Sequence, residues 1–338
     1  MAAQTSETTR LALTSRSRGL LAIAVAAGFA LSACAGTPGQ AVSEVSPERS
    51  AQAAAEHRIP LPVPRSLTLN AVGNLLDWNR TPPGVNPDTC KPAPGQRPVL
   101  MVHGTFANMM LAFSALGPAL HNAGICAYAY NYGGHAADSW VHGLMSMEES
   151  AKRLAHEVER VRRITGADKV NLVGHSQGGT LIHYYAKVLG GADKVDVMVA
   201  VAPSLRGTER VSGKGEYTYC VACGQQSPDS AVIRRLNDGP ISQPGNRNYV
   251  IATSVDWVVR PVEKQFIREP GVTNILLQDL YPWRWATHSG LLYDSDAVGL
   301  MVKWLGGSVE GTVATGATGN AAGATGNAAG LGGAGAAE

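Results

Sequence analysis

A short apolar run, Val170-Asn-Leu-Val173, passes directly into Gly174-His175-Ser176-Gln177-Gly178, and from Gly178 to Leu189 the pattern is helical. A strand, a five-residue turn and a helix with nothing between them leave few ways to fold. The turn must be tight, and glycines flank it because no Cβ fits where strand and helix pack on each other. The rest of the chain repeats the alternation. Strand-like runs fall at Pro98–Val102, Ile125–Tyr130, Val195–Val201, Tyr249–Thr253 and Val272–Leu277. Helical patterns fall at Glu148–Arg163 and Ala297–Leu305. Continuous apolar strands separated by helices imply an α/β fold, with a buried, mostly parallel sheet covered by helices on both faces.

The two ends do not belong to that pattern. Arg10, Arg16 and Arg18 precede an apolar run from Leu20 to Leu31, which is short for a bilayer span and matches the apolar region of a signal peptide. It closes on Leu31-Ser-Ala-Cys34, a tetrapeptide that resembles the bacterial lipobox, in which the Cys carries the lipid. Residues 1–34 are therefore expected to export the chain, as a secreted protein or as an envelope lipoprotein anchored through Cys34. Residues 35–84 are rich in Ala, Pro and polar side chains and are expected to form a tether. The catalytic domain is expected over 85–310. Beyond it, in 311–338, Gly316-Ala-Thr-Gly-Asn-Ala-Ala is followed at once by a second copy from Gly323, with no large apolar side chain to bury, so a disordered tail is expected.

Composition and cysteines agree with export to a non-nucleic-acid role. Charged residues make up 16% with a net charge of +2, and no clustered basic run is present, which argues against a nucleic-acid partner. Hydrophobic residues, at 45%, suffice for a sizeable core. With Cys34 set aside, Cys90, Cys126, Cys220 and Cys223 remain, an even set that reads as disulfides in an oxidising compartment. Cys90 precedes one strand and Cys126 opens another, so a bridge between neighbouring strand starts is expected. Cys220-Val-Ala-Cys223 has no second CxxC or His pair to complete a zinc set, and reads as a loop staple.

A serine at the apex of such a turn has its hydroxyl at the edge of the sheet, and Gly174–Gly178 has the G-x-S-x-G form of a nucleophile elbow. Serine alone is a weak nucleophile and needs a base. Two histidines follow it. His183 lies inside the helix that Ser176 opens, about two turns from the hydroxyl, and reads as a packing or surface residue. His288, in Trp285-Ala-Thr-His288-Ser-Gly290, lies between the last strand and the last helix and is the candidate base. The acid belongs between them, just after a strand. Asp256 follows Tyr249–Thr253 and is the first choice, with Asp279 as competitor. The acid would hold the imidazole tautomer and stabilise the imidazolium. Two backbone N–H groups would form an oxyanion hole. Gln177, after the nucleophile, supplies one, and Thr105 or Phe106, in the loop after the first strand, supplies the other. Thr105 is preferred. His103 reads as structural.

Four separated segments carry a family resemblance: Val102-His-Gly-Thr-Phe-Ala-Asn108, Asn131-Tyr-Gly-Gly134, Val173-Gly-His-Ser-Gln-Gly-Gly179 and Ser254-Val-Asp-Trp-Val-Val-Arg-Pro261. Together they resemble the bacterial class 2 triacylglycerol lipases, particularly actinobacterial secreted esterases and lipases, over roughly residues 85–305. The resemblance implies the α/β-hydrolase fold and carboxylic ester hydrolysis with no cofactor and no metal, and it carries nucleophile, acid and base onto Ser176, Asp256 and His288. The chain departs from the family pattern at Thr287, where Asp is frequent, and at Arg206-Gly-Thr208, where His-Gly-Thr is frequent.

Lipid or small ester substrates are expected, with the chain acting as a monomer. Phe106, Met109, Trp285 and Leu291 are candidates for an apolar substrate pocket, alongside Met110, Leu111, Met145, Met147, Trp283 and Leu292. Residues 132–150 and 205–245 are long enough to act as lids. Two other readings keep the fold: an envelope acyltransferase or polymer esterase with the same three residues, and a non-catalytic binding protein.

Overall fold

Six strands alternate with helices in the described part of the chain: β1 (Val99–Val102), α1 (Met109–Phe113), α2 (Leu116–Asn122), β2 (Ala127–Ala129), α3 (Met147–Thr165), β3 (Val170–His175), α4 (Gln177–Lys187), β4 (Val195–Val201), α5 (Val221–Gln225), α6 (Ala231–Leu236), β5 (Arg247–Ala252), β6 (Val272–Leu276), α7 (Leu277–Leu280) and α8 (Ser295–Trp304). The computed structural model describes residues 59–68, 79–136, 138–211 and 217–306. The expected signal peptide, Cys34 and the repeat tail lie outside the described residues. All six strands run parallel, in the order β2-β1-β3-β4-β5-β6.

The apolar runs are nearly continuous because the strands inside the sheet are covered on both faces. Alternate side chains of a strand point to opposite faces, and here they enter two separate cores. Leu100, Val102, Leu172, Met198, Ala200 and Val250 pack with Met147, Leu154 and Val158 of α3 and Leu181 of α4. Val99, Met101, Val173, Val197, Val199 and Ile251 pack with Leu116 and Leu120 of α2 and Met301 of α8. Each fully buried side chain of this size contributes roughly 1.5–3 kcal/mol, which makes the two layers the main source of stability. The edge strand β6 is only half-buried.

Helix α3 shows why its stretch is helical. The Ser146 side chain caps it by accepting from the Glu149 N–H, Glu148 and Glu149 lie in the first turn, and Arg162 and Arg163 in the last. Charges so placed oppose the helix dipole favourably at both ends. Gly166 ends it in the left-handed region at φ 75°, its N–H returning to the Arg162 carbonyl.

The other edge of the sheet is closed by the first residues of the expected catalytic domain. Val85 bridges Ala127, and Asn86 bonds to both the carbonyl and the N–H of Ala129 through its side chain. Asn86 thus does the work of a strand residue along the edge strand β2 and leaves less edge open to other chains. Further upstream, Leu61 exchanges both backbone groups with the Asn122 amide at the end of α2. Residues 59–68 and 79–84 therefore lie against the domain rather than hanging free of it.

Cys90 and Cys126 are bonded across a sequence separation of 36. The bridge ties this edge-covering segment to the start of β2, instead of joining the starts of two strands. Closing a loop of that length removes unfolded-state entropy worth about 4 kcal/mol. The double variant Cys90→Ser/Cys126→Ser is expected to lose that amount in urea unfolding, and a loss under about 1 kcal/mol would rule the constraint out. The Cys220–Cys223 bond encloses only the first turn of α5.

Candidate active site

Strands β1 and β3 are neighbours, and the chain proceeds from them in opposite directions: β2 lies outside β1, and β4 to β6 lie outside β3. The crevice at the C-terminal ends of two such strands is where open parallel sheets place ligands. Ser176 follows β3 there, and the His103–Ala107 loop follows β1.

The elbow is tight in physical terms. Ser176 has φ 54° and ψ −120°, a conformation that side chains rarely adopt, costing of order 1–3 kcal/mol that the surroundings must hold. They do so through close packing. A Cβ on Gly174 would lie 2.3 Å from the Gly178 carbonyl oxygen, and one on Gly178 would lie 2.1 Å from that of Val102. Gly104 is needed for the same reason rather than for a turn, since its Cβ would press on that of Ser176 at 3.0 Å. The positive φ in this loop belongs to Phe106, at 55°.

Asp256 is 1% exposed and fully engaged. Its Oδ1 accepts from the Val258 and Val259 N–H groups, and its Oδ2 accepts from Gln265 Nε2 at 2.9 Å and His288 Nδ1 at 2.7 Å. Burial alone would push the carboxyl up, but the His288 contact and the two backbone donors outweigh it and hold it below its ordinary value. Asp256 therefore stays ionised. With its hydrogen on Nδ1, His288 keeps its lone pair on Nε2, the nitrogen that could accept a serine proton. Asp279 lies exposed on α7, away from this cluster.

His175 braces the His288 backbone. Its Nε2 donates to the His288 carbonyl oxygen at 3.1 Å, and the two rings lie 4.8 Å apart. Burial lowers its pKa to about 3, as does the nearby His288 ring, so it stays neutral and does not compete with an imidazolium next to it. His103 is likewise buried, stacked on Tyr132 at 4.3 Å and lowered to about 3 by burial. It is structural, as the sequence suggested. His183 is buried inside α4 with Nδ1 on the Gly179 carbonyl oxygen, a packing residue.

The oxyanion candidates are held by their neighbours. The Tyr132 hydroxyl reaches both the His103 carbonyl oxygen, at 2.6 Å, and Gln177 Oε1, at 2.7 Å, so it joins the β1 loop to the first residue of α4. Gln177 Nε2 donates to the Gly143 carbonyl oxygen. Thr105 Oγ1 accepts from Gln226 Nε2 at 2.8 Å.

Ser176, His288, Thr105 and Phe106 all border one cavity of about 420 Å³. Leu67, Leu111, Trp257, Val259 and Leu292 line it as well, so it is largely apolar. Of the four candidate pocket residues only Phe106 is found there. Met109 is half-buried against the helical core behind the loop, Leu291 is fully buried in that same core, and Trp285 is 80% exposed beside a second, shallower cavity with Trp283 and Arg65. Met110 and Met147 are core residues. Segment 205–245 does reach the cavity, through Thr208, Arg210, Val211, Cys223 and Gln226. Among its described residues, segment 132–150 does not line the cavity and instead braces the loop after β1, as in the bond from the His142 N–H to the Ala107 carbonyl oxygen. Thr208 lines the cavity and donates to the Val258 carbonyl oxygen, whereas Arg206 bonds the Phe266 carbonyl oxygen away from it. Among the described residues no group of three His, Cys, Asp or Glu could hold a metal.

By sheet order, elbow and site position the chain has the α/β-hydrolase fold, and residues 97–215 match the family model described as alpha/beta hydrolase fold. Two relatives are bacterial proteins named triacylglycerol lipase. The one from Vibrio cholerae is 32% identical over 152 residues, covering 42% of this chain and 45% of the relative. The one from Burkholderia plantarii is 34% identical over 118 residues, covering 33% and 31%. The match thus spans less than half of either relative's length. Among solved structures, Aspergillus fumigatus lipase B superimposes with a TM-score of 0.51 at 20% identity, covering 80% of this chain and 59% of that one. That likeness concerns the fold.

Proposed function

We propose that this chain is a serine hydrolase of carboxylic esters, a lipase or esterase. The observation that carries the reading is the 2.7 Å hydrogen bond from His288 Nδ1 to Asp256 Oδ2, with His288 at the rim of the apolar cavity that Ser176 also borders. In this reading His288 takes the Ser176 proton, the hydroxyl oxygen attacks the ester carbonyl, and the Thr105 and Gln177 N–H groups stabilise the resulting oxyanion. His288 then returns the proton to the leaving alcohol. Water, activated by the same imidazole, releases the acid from the acyl-enzyme. The relatives named triacylglycerol lipase support an acyl ester as substrate. The largely apolar lining suits an acyl chain.

Export follows from the N-terminal signal, with attachment to the envelope through Cys34 and action as a monomer on lipid or small esters. The test is labelling with a fluorophosphonate probe, together with hydrolysis of p-nitrophenyl butyrate and of emulsified triacylglycerol. Labelling with turnover of both esters is expected. Turnover of the soluble ester alone would restrict the enzyme to esterase work, and absence of labelling would sink the hydrolase reading.

A further inference from the structure

The two donors assigned to the oxyanion come from different elements, Thr105 from the β1 loop and Gln177 from α4. Their spacing must hold to a fraction of an ångström for both to reach one oxygen. A chain of side-chain hydrogen bonds joins those elements through two others, the segment after β4 and the end of α5. Thr180 on α4 bonds Ser204 at 2.9 Å, Ser204 Oγ donates to Gln226 Oε1 at 2.9 Å, and Gln226 Nε2 donates to Thr105 Oγ1 at 2.8 Å. Because Ser204 gives its hydrogen to Gln226, Thr180 must be the donor to Ser204. Every link then has one direction, from α4 to the oxyanion loop. Thr180 and Ser204 are fully buried and Gln226 nearly so, so breaking the links at Ser204 would leave a buried polar atom without a partner. Gln226 Nε2 also donates to the Ala222 carbonyl oxygen, which holds it in place to reach Thr105.

Gln226 is itself fixed on both sides. Its N–H returns to the Ala222 carbonyl oxygen of α5, whose first turn is closed by the Cys220–Cys223 bond, and its carbonyl oxygen accepts from the Thr208 N–H. From the sequence this glutamine is one polar residue in a Pro/Gly-containing insertion. In the fold it is the only member of the relay contributed by α5 and its C-terminal end.

We propose that Gln226 is a positioning residue of the reaction, acting through Thr105: the relay Thr180–Ser204–Gln226 sets the oxyanion loop at the correct distance from Gln177. The inference rests on the ester hydrolase reading and names a part of its machinery outside the triad and the two donors. Its effect is specific to the tetrahedral state, where the oxyanion exists, and small in the ground state.

The experiment measures kcat and KM for p-nitrophenyl butyrate, per site titrated with fluorophosphonate, in Gln226→Leu, Thr105→Val and the double variant. Titration removes any contribution from misfolded protein. Gln226→Leu is expected to lose ten- to a hundredfold in kcat with KM changed less than threefold, and to weaken an alkylboronic acid inhibitor by the same factor. The double variant is expected within about threefold of the worse single one, because both break the same link. Gln226→Glu keeps the shape and supplies a second signature. Its protonated acid can donate to Thr105 and its carboxylate cannot, so kcat should fall with rising pH along a limb absent from wild type. Unchanged kcat in Gln226→Leu, or fully additive losses in the double variant, would overturn the inference. A wild-type chain that takes no label fails at the hydrolase reading instead.

Discussion

Ser176→Ala is expected to lower kcat for ester hydrolysis on the order of a millionfold while the protein stays folded. Without Oγ no acyl-enzyme forms, and what remains of the acceleration comes from the oxyanion donors and from binding in the cavity. Because the triad acts as a unit, adding His288→Ala to Ser176→Ala should cost little more. The same position carries a second expectation of opposite sign. Ser176 is held at φ 54° and ψ −120°, and glycine adopts positive φ without the Cβ penalty. Ser176→Gly should therefore be as inactive as the alanine variant yet more stable than wild type by about 1 kcal/mol. Initial rates and urea unfolding on the same preparations check both halves. A Ser176→Ala protein that retains even a thousandth of wild-type turnover would mean that the nucleophile lies elsewhere.

The tight turn around Ser176 was legible in the sequence, because Gly174 and Gly178 flank it directly between an apolar run and a helix; the strain at Ser176 itself was not. The strands were legible for a related reason. A strand covered on both faces is largely apolar, and such runs stand out, so all six strands begin and end within two residues of their expected places. The short helices α1 and α2 were not. They are apolar nearly all round and only 5 and 7 residues long, too short to show a period. Both aspartates lie between Ser176 and His288 and follow a strand, and Asp256 was preferred because Asp279 falls only nine residues before His288. The geometry shows why the distinction matters, since Asp256 has four donors around it.

The supporting residues escaped because they are joined by contacts between distant segments. Gln265 bonds Asp256 from a neighbouring turn, His175 reaches His288 across 113 positions, and Gln226 reaches Thr105 across 121. No spacing rule encodes such pairs. His175 alone had a local signal, its place inside the elbow motif. The substrate residues failed differently. Met109, Trp285 and Leu291 have the right chemistry, but hydrophobicity does not say which way a side chain turns. Leu291 enters the core, while its neighbour Leu292 reaches the cavity.

The buried histidines make the fold acid-sensitive well above the range where carboxylates matter. His103 and His175 are each lowered by burial from the ordinary 6.5 to about 3. In the unfolded chain each binds a proton near pH 6.5, but in the folded protein only near pH 3. Between those values the unfolded state holds more protons, so stability is complete above about pH 6.5 and is lost as pH falls. Each group contributes a slope of about 1.4 kcal/mol per pH unit, so the two together remove roughly 5 kcal/mol between pH 6.5 and 4.5. That is comparable with the whole stability of a domain, about 5–15 kcal/mol. His142 and His183 are lowered by burial too and steepen the fall. Asp256 works in the same direction but later. Its folded pKa is depressed, so its contribution is present above its ordinary value of 3.8 and is lost only below that. Urea unfolding at half-unit steps from pH 7.5 to 4.5 should therefore show an uptake of two or more protons on unfolding below pH 6, with acid unfolding near pH 4 to 5. His175→Asn should remove about one proton from that slope, whatever its effect on activity. A flat stability profile between pH 6.5 and 4.5 would show that these imidazoles are solvated in solution, and with it the support that His175 gives to the His288 loop would be lost.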